Sequence, residues 1–186
     1  MSINNNKGNN SMSVDIQKCA SELYEAYKQR RPIKCFTEED IKLTHEEGYE
    51  IQNLVVRKKV KKNREMIKGY KIGLTTVETQ KAFNTNSPFY GTFTNANISN
   101  EFINLEEDMF EAFVVEMELM FIIDEDLSLT PNEQEILEKT RIAPGLEIPD
   151  GRYKNWTKNK DLASIFADVG AAGKVVVGKP VKYSSI

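Results

Sequence analysis

The chain has 186 residues, 40% hydrophobic and 28% charged, with a formal net charge of −3. That length allows one domain with a real core, and the interleaved Lys and Asp/Glu give no basic footprint for nucleic acid or an anionic membrane. Two cysteines, Cys19 and Cys35, have no framework spacing and read as reduced thiols of a cytoplasmic protein; no apolar run reaches the roughly 18 residues of a membrane span.

Residues 1–13, MSINNNKGNNSMS, are polar and Asn-rich without a signal-peptide core, and predict a disordered tail. The remainder, 14–186, is expected to be one domain of mixed α/β class, helical over 14–66 and β-rich over 67–186. Ile16, Cys19, Ala20, Leu23 and Tyr27 form the apolar stripe of a first helix, with Ser13 as its expected N-cap and Pro32 beyond its end. Thr44 and Glu47 form a capping-box pattern for a second helix, which runs into the basic stretch KKVKKNREMIK, read as a solvated helix end and loop.

GYKIGLTT, residues 69–76, predicts a short strand between Gly69 and Gly73 that carries Lys71. A helical turn or two over 77–83, a turn at Asn86–Pro88 and a strand at Tyr90–Phe93 follow. From Phe110 to Ile123, FEAFVVEMELMFII alternates with period two and predicts a buried strand. Phe113, Val115, Met117, Leu119 and Phe121 share one face; Glu116 and Glu118 share the other, their Cα atoms roughly 7 Å apart. Two neighbouring carboxylates in an apolar run demand a positive partner, either a cation or a pair of basic side chains.

Thr130, Pro131 and Glu133 mark the start of a helix over 131–139, and RIAPGLEIPD reads as a further strand with Glu147 between Leu146 and Ile148. GRYKNW and TKNKD read as loop, with Tyr153 and Trp156 as packing residues and the lining of a pocket mouth as the alternative. A small-residue turn, Gly170–Gly173, leads into an apolar strand at Val175–Val177. Glu116, Glu118 and Glu147 thus offer an all-oxygen set that suits Mg²⁺, Mn²⁺ or Ca²⁺ and leaves positions open for substrate. The alternative is a solvated face on which Glu116 and Glu118 pair with lysines. His45, the single histidine, reads as a surface residue at a helix start. Asp150, Asp161 and Glu106-Glu107-Asp108 read as solvated loop acids. Zincin, phosphate-loop, dinucleotide and nucleophile-elbow patterns are absent.

KGYKIGLT, SPFYGTF, the E-x-E strand, APGLEIPDGRYKNW and ADVGAAGKVVVG occur in the order and at the intervals of a known family. Over residues 14–182 the chain resembles the 2-oxopent-4-enoate hydratase and 4-oxalocrotonate decarboxylase group of the fumarylacetoacetate hydrolase superfamily. The resemblance implies N-terminal helices on a mixed, barrel-like β-roll, and Mg²⁺ or Mn²⁺ held by Glu116, Glu118 and Glu147. It further implies Lys71 as a catalytic and substrate-binding residue, with Leu74 and Asp168 as substrate-binding residues. The implied activity is that of a lyase, hydrating or decarboxylating a small 2-oxo or 2-hydroxydienoate acid from aromatic meta-cleavage. An impaired member kept as a binding or assembly subunit and a C–C hydrolase acting on an acylpyruvate are the alternatives. A homo-oligomer, or a complex with a related subunit, is implied as the assembly.

Three departures from the group's pattern stand out. Phe89 occupies a position that is acidic in the hydratases and apolar in the decarboxylases. The usual A-D-N-A-S-S stretch is Ala167-Asp168-Val169-Gly170-Ala171-Ala172. The chain stops at Ile186, before the family's last strands, so a truncated sheet with an open edge is expected.

Overall fold

The computed structural model describes residues 14–100, 103–105 and 112–185. The expected tail, the Glu106–Asp108 cluster and the start of the expected strand at Phe110 lie outside the described residues. In chain order the elements are α1 (Ile16–Gln29), α2 (His45–Asn63), β1 (Ile67–Gly73), α3 (Val77–Ala82), β2 (Phe89–Thr94), β3 (Ile98–Ser99), β4 (Glu116–Ile123), α4 (Glu133–Lys139), β5 (Thr140–Ile148), α5 (Leu162–Ala167), β6 (Lys174–Val177) and β7 (Val181–Lys182).

Asp15, rather than the expected Ser13, caps α1 by accepting the Lys18 N–H at 2.9 Å. Thr44 and Glu47 cap α2 reciprocally, at 3.1 and 2.8 Å. Asn132, not Thr130, caps α4 through the Glu135 N–H, at 2.8 Å. Between the polar connection TKNKD and the small-residue turn lies α5, for which the sequence announces no element, its six residues being too few for a periodic signal. Its cap is Asp161, expected as a solvated loop acid, which accepts the Ser164 N–H at 3.0 Å.

Cys19, Leu23, Phe36, Ile51, Val55 and Tyr153 meet in one buried cluster at the helical end of the chain. Here α2 and α5 pack at very short range. A Cβ on Gly48 would stand 2.5 Å from the Ala163 carbonyl oxygen, so only glycine admits that approach. Gly48→Ala is therefore expected to cost about 1–3 kcal/mol in urea unfolding, although alanine is the better helix former.

The basic run is the solvated helix end and loop expected, except at Lys59 and Glu65, which are buried. α2 carries the run as far as Asn63, and Lys59 lies one turn beyond Val55 on the buried face, 3% exposed. Its ammonium stands 3.7 Å from Glu65 and 4.1 Å from the centre of the Tyr27 ring. Burial acts to raise the Glu65 carboxyl. Hydrogen bonds from Thr94 and Asn63 and the Lys59 charge outweigh it, so the net shift is downward.

β1 and β2 form an antiparallel pair with Lys71 opposite Gly91. The second sheet has the order β3-β6-β5-β4, with β7 also on β5. β3 and β6 run parallel and the other pairs antiparallel, so the sheet is mixed. Among the described residues it is open and forms no closed barrel. β4 is its edge, which corrects the expectation of a buried strand. The period-two alternation is present, but Met117, Leu119 and Ile123 are 89%, 59% and 61% exposed. Periodicity assigns residues to faces; the sheet order decides whether a face is covered. No helix among the described residues is long and apolar enough to cross a membrane.

Candidate metal centre

Register brings the acidic residues together. Glu116 on β4 lies directly opposite Glu147 on β5, and Glu118 is two residues along the same face, opposite Gly145. Their carboxylate oxygens lie within 4.8 Å of one another. Glu147 is buried, whereas Glu116 and Glu118 are exposed on the edge strand.

Lys71 reaches the same place from β1, its Nζ in direct contact with Glu147 Oε1. Both side chains are largely buried. Burial pushes the Glu147 carboxyl up, the Lys71 ammonium pulls it down, and Glu116 and Glu118 push it up again; the net direction is upward. The Lys71 ammonium therefore does not offset the cost of burying Glu147 beside two further carboxylates. An all-oxygen set with one member already buried fits a hard divalent cation that keeps other positions open. Among the described residues this is the one cluster of ligating side chains with that geometry.

The cluster lines a cavity of about 380 Å³, within the range of small-molecule sites. Leu74, Phe89 and Asp168 line it. Leu74 holds a left-handed backbone, φ 57°, and its carbonyl accepts Gln80 Nε2 at 2.9 Å, which turns the chain away from β1 at the cavity wall. The small-residue turn begins with a left-handed run: Val169, Gly170 and Ala171 have φ 56°, 64° and 55°. There the backbone bends closely around Phe89, and a Cβ on Gly170 would stand 2.8 Å from that ring.

Asp168 ends α5 and is buried, with its Oδ2 accepting the Arg152 N–H at 2.6 Å. Burial raises its carboxyl to about 7, although the Arg152 charge and hydrogen bond oppose the shift. Asp150, read from sequence as solvated, is instead buried and paired with the Arg152 guanidinium. Tyr153 and Trp156, for which packing is the expected role and a pocket mouth the alternative, are in the cavity wall. No spacing signal announced them; they reach the site because the loop after β5 folds back over it. His45 is exposed at the first turn of α2, its ring against Phe166, and does not line the cavity. A larger hollow of about 690 Å³, beside α4 and Tyr183, contains none of the clustered glutamates.

No family model matches the chain. It is 26% identical over 164 residues to a 2-keto-4-pentenoate hydratase of Paraburkholderia xenovorans, covering 87% of this chain and 60% of that protein. It is 29% identical over 171 residues to a 2-oxo-hept-4-ene-1,7-dioate hydratase of Escherichia coli, covering 88% and 63%. The chain thus spans about three-fifths of the length of these relatives. Its fold matches a 4-oxalocrotonate decarboxylase of Pseudomonas putida complexed with magnesium and adipate, with a TM-score of 0.81 and 18% identity, covering 92% of this chain and 65% of the other. The calcium and acetate complex of a decarboxylase of the same name and species gives 0.79, also at 18% identity, covering 92% and 64%.

Proposed function

We propose that this chain, a relative of the 2-keto-4-pentenoate hydratases and 4-oxalocrotonate decarboxylases, is a divalent-metal-dependent lyase acting on a 2-oxo-4-enoate or 2-hydroxydienoate acid. The observation that carries this reading is the cluster of Glu116, Glu118 and Glu147 with Lys71 in contact, in the wall of a cavity of substrate size. The relatives' names and the magnesium and calcium complexes of the structures sharing the fold support it.

Glu116, Glu118 and Glu147 would hold Mg²⁺ or Mn²⁺. The chemistry such an ion supplies is polarisation of the 2-oxo group, which eases development of negative charge on its oxygen. Lys71 Nζ, in contact with a ligand carboxylate, is placed to pass a proton to the substrate's carbon chain and take one back. Leu74 and Phe89 wall the carbon chain, and Asp168, also in the cavity wall, orients the substrate. Phe89 favours decarboxylation over hydration, because an aromatic ring at that wall offers no group to direct an incoming water.

Mg²⁺ or Mn²⁺ is expected to raise the melting temperature, and Glu116→Gln to abolish the gain. An absorbance assay with a 2-hydroxydienoate and with an oxalocrotonate, each with and without metal, then reads the reaction. Metal-dependent loss of the first substrate means hydration; CO₂ release from the second means decarboxylation. A melt indifferent to both ions, with silence on both substrates, would overturn the lyase reading and leave a binding subunit.

A further inference from the structure

Lys71 reaches the glutamates from β1, which pairs only with β2 among the described residues. A ribbon of two strands is marginally stable by itself, so something must fix the free edge of β2. In an antiparallel pair, alternate residues turn their backbone groups away from the partner strand. On β2 these are Tyr90 and Thr92, on either side of Gly91, the residue opposite Lys71.

Gln52 takes up those groups from α2. Its Oε1 accepts the Thr92 N–H at 3.0 Å and the Thr92 hydroxyl at 3.2 Å. Its Nε2 donates to the Tyr90 carbonyl at 3.4 Å and to the Phe166 carbonyl at 3.2 Å. Tyr49, one turn earlier on α2, accepts the Tyr90 N–H at 3.3 Å. Both donors and both acceptor positions of the Gln52 amide are thus in use. The side chain is fully buried, as are Ile51 and Val55 on the same helix. Burying an amide is costly unless it is bonded, and leucine would fill the place without that demand. Gln52 itself does not line the cavity.

The held stretch of β2 is also where the lysine rests. A Cβ on Gly91 would stand 3.1 Å from Lys71 Cγ and would overlap the Val169 carbonyl oxygen. The stem of the lysine and the turn after α5 therefore lie against the same residue of β2. Phe166, whose carbonyl anchors the other side of the Gln52 amide, belongs to α5.

We infer that Gln52 is a positioning residue for Lys71: it clamps β2 on both sides of Gly91 to the end of α5, and so holds the ribbon that carries the lysine against the glutamates. This rests on the proposed function, in which Lys71 moves the proton. Without the clamp β2 shifts against α2, and a displacement of about 1 Å at a reacting group costs on the order of 10²-fold in rate.

A double-mutant cycle on the full chain tests this, with whichever of the 2-hydroxydienoate and the oxalocrotonate the native chain converts, well below the melt. Gln52→Met is expected to lower kcat about 10–100-fold and to leave KM within about threefold. Calorimetric Mg²⁺ affinity should be as high as in the native chain or higher, as for Lys71→Met. In a chain already carrying Lys71→Met, the same substitution should cost less than about threefold, because the group it positions is gone. Should Gln52→Met fail to fold, Thr92→Val removes one of the four bonds at nearly constant shape. It then enters the same cycle with an expected loss of about three- to tenfold. If the substitution lowers the melt but not the kcat of the folded chain, the role of Gln52 is structural and the inference fails. It fails equally if the losses from Gln52→Met and Lys71→Met multiply in full, or if Mg²⁺ affinity falls with kcat. If the native chain neither binds Mg²⁺ nor converts either substrate, the proposed function has failed and this role falls with it.

Discussion

Lys71→Met is expected to lower turnover by roughly 10²–10⁴-fold, the range for losing a proton-transfer group, while divalent metal binds as tightly as before or more tightly. The two effects have different origins. Lys71 Nζ occupies a lone pair of Glu147 Oε1, so it competes with any cation for that oxygen. Removing the ammonium frees the ligand and leaves a buried carboxylate without its counter-charge. Such a group is expensive, by about 3–5 kcal/mol when a buried pair is broken, and a divalent ion relieves that cost on binding. The metal-free variant should therefore melt lower than the native chain, and the gain from Mg²⁺ should be larger. Calorimetric Mg²⁺ affinity, beside turnover at saturating metal, checks both halves. Loss of metal affinity in parallel with activity would mean that Lys71 only positions Glu147.

Asp168→Asn should remove a pH dependence of stability worth as much as about 4 kcal/mol, from a shift of about three units at 1.4 kcal/mol each. The carboxyl is held at about 7 in the folded chain by burial. Unfolded, it titrates near its ordinary value of about 4. Between about pH 4 and 7 the folded chain retains a proton that the unfolded chain has lost, so this group's contribution falls as pH rises and is level above 7. Glu147, also shifted upward, acts in the same direction, and Glu65, shifted downward, acts at lower pH and in the opposite direction. Asparagine keeps an oxygen to accept the Arg152 N–H, so the fold is retained. Urea unfolding of native and variant chains at pH 4.5, 6 and 7.5 reads the difference. Parallel curves for the two would show that Asp168 is ionised throughout.

The candidate site was legible where it depends on strand parity. Glu116 and Glu118 share a face because side chains alternate, and Glu147 stands in a second apolar strand of the right kind. Their convergence depends on register, which places Glu116 opposite Glu147 and which no local pattern announces. Lys71 was visible as a lysine in a glycine-bounded strand, but its contact with Glu147 crosses from one sheet to the other. The helical part was readable from caps and stripes, although Asn132 and Asp15 took the capping roles expected of neighbours. Charge runs misled. Lys59 in the KKVKK stretch is buried because it follows Val55 by one turn, and Asp150 is buried because Arg152, two residues on, turns back to it. In both cases the position of the residue on its element and what packs there, not the charge of its neighbours in sequence, decides exposure.

β4 has a further consequence for how the chain behaves in solution. It is an edge strand with an apolar outer face, and its backbone pairs on one side only among the described residues. EMELMFII is the kind of segment that recruits another copy of itself into a growing sheet. Glu116 and Glu118 are the only charges in it, and like charges brought opposite one another resist such pairing. The same two carboxylates would thus ligate an ion and guard the edge against aggregation. Anything that neutralises them without putting an ion in place, a low pH or a Gln substitution, weakens both at once.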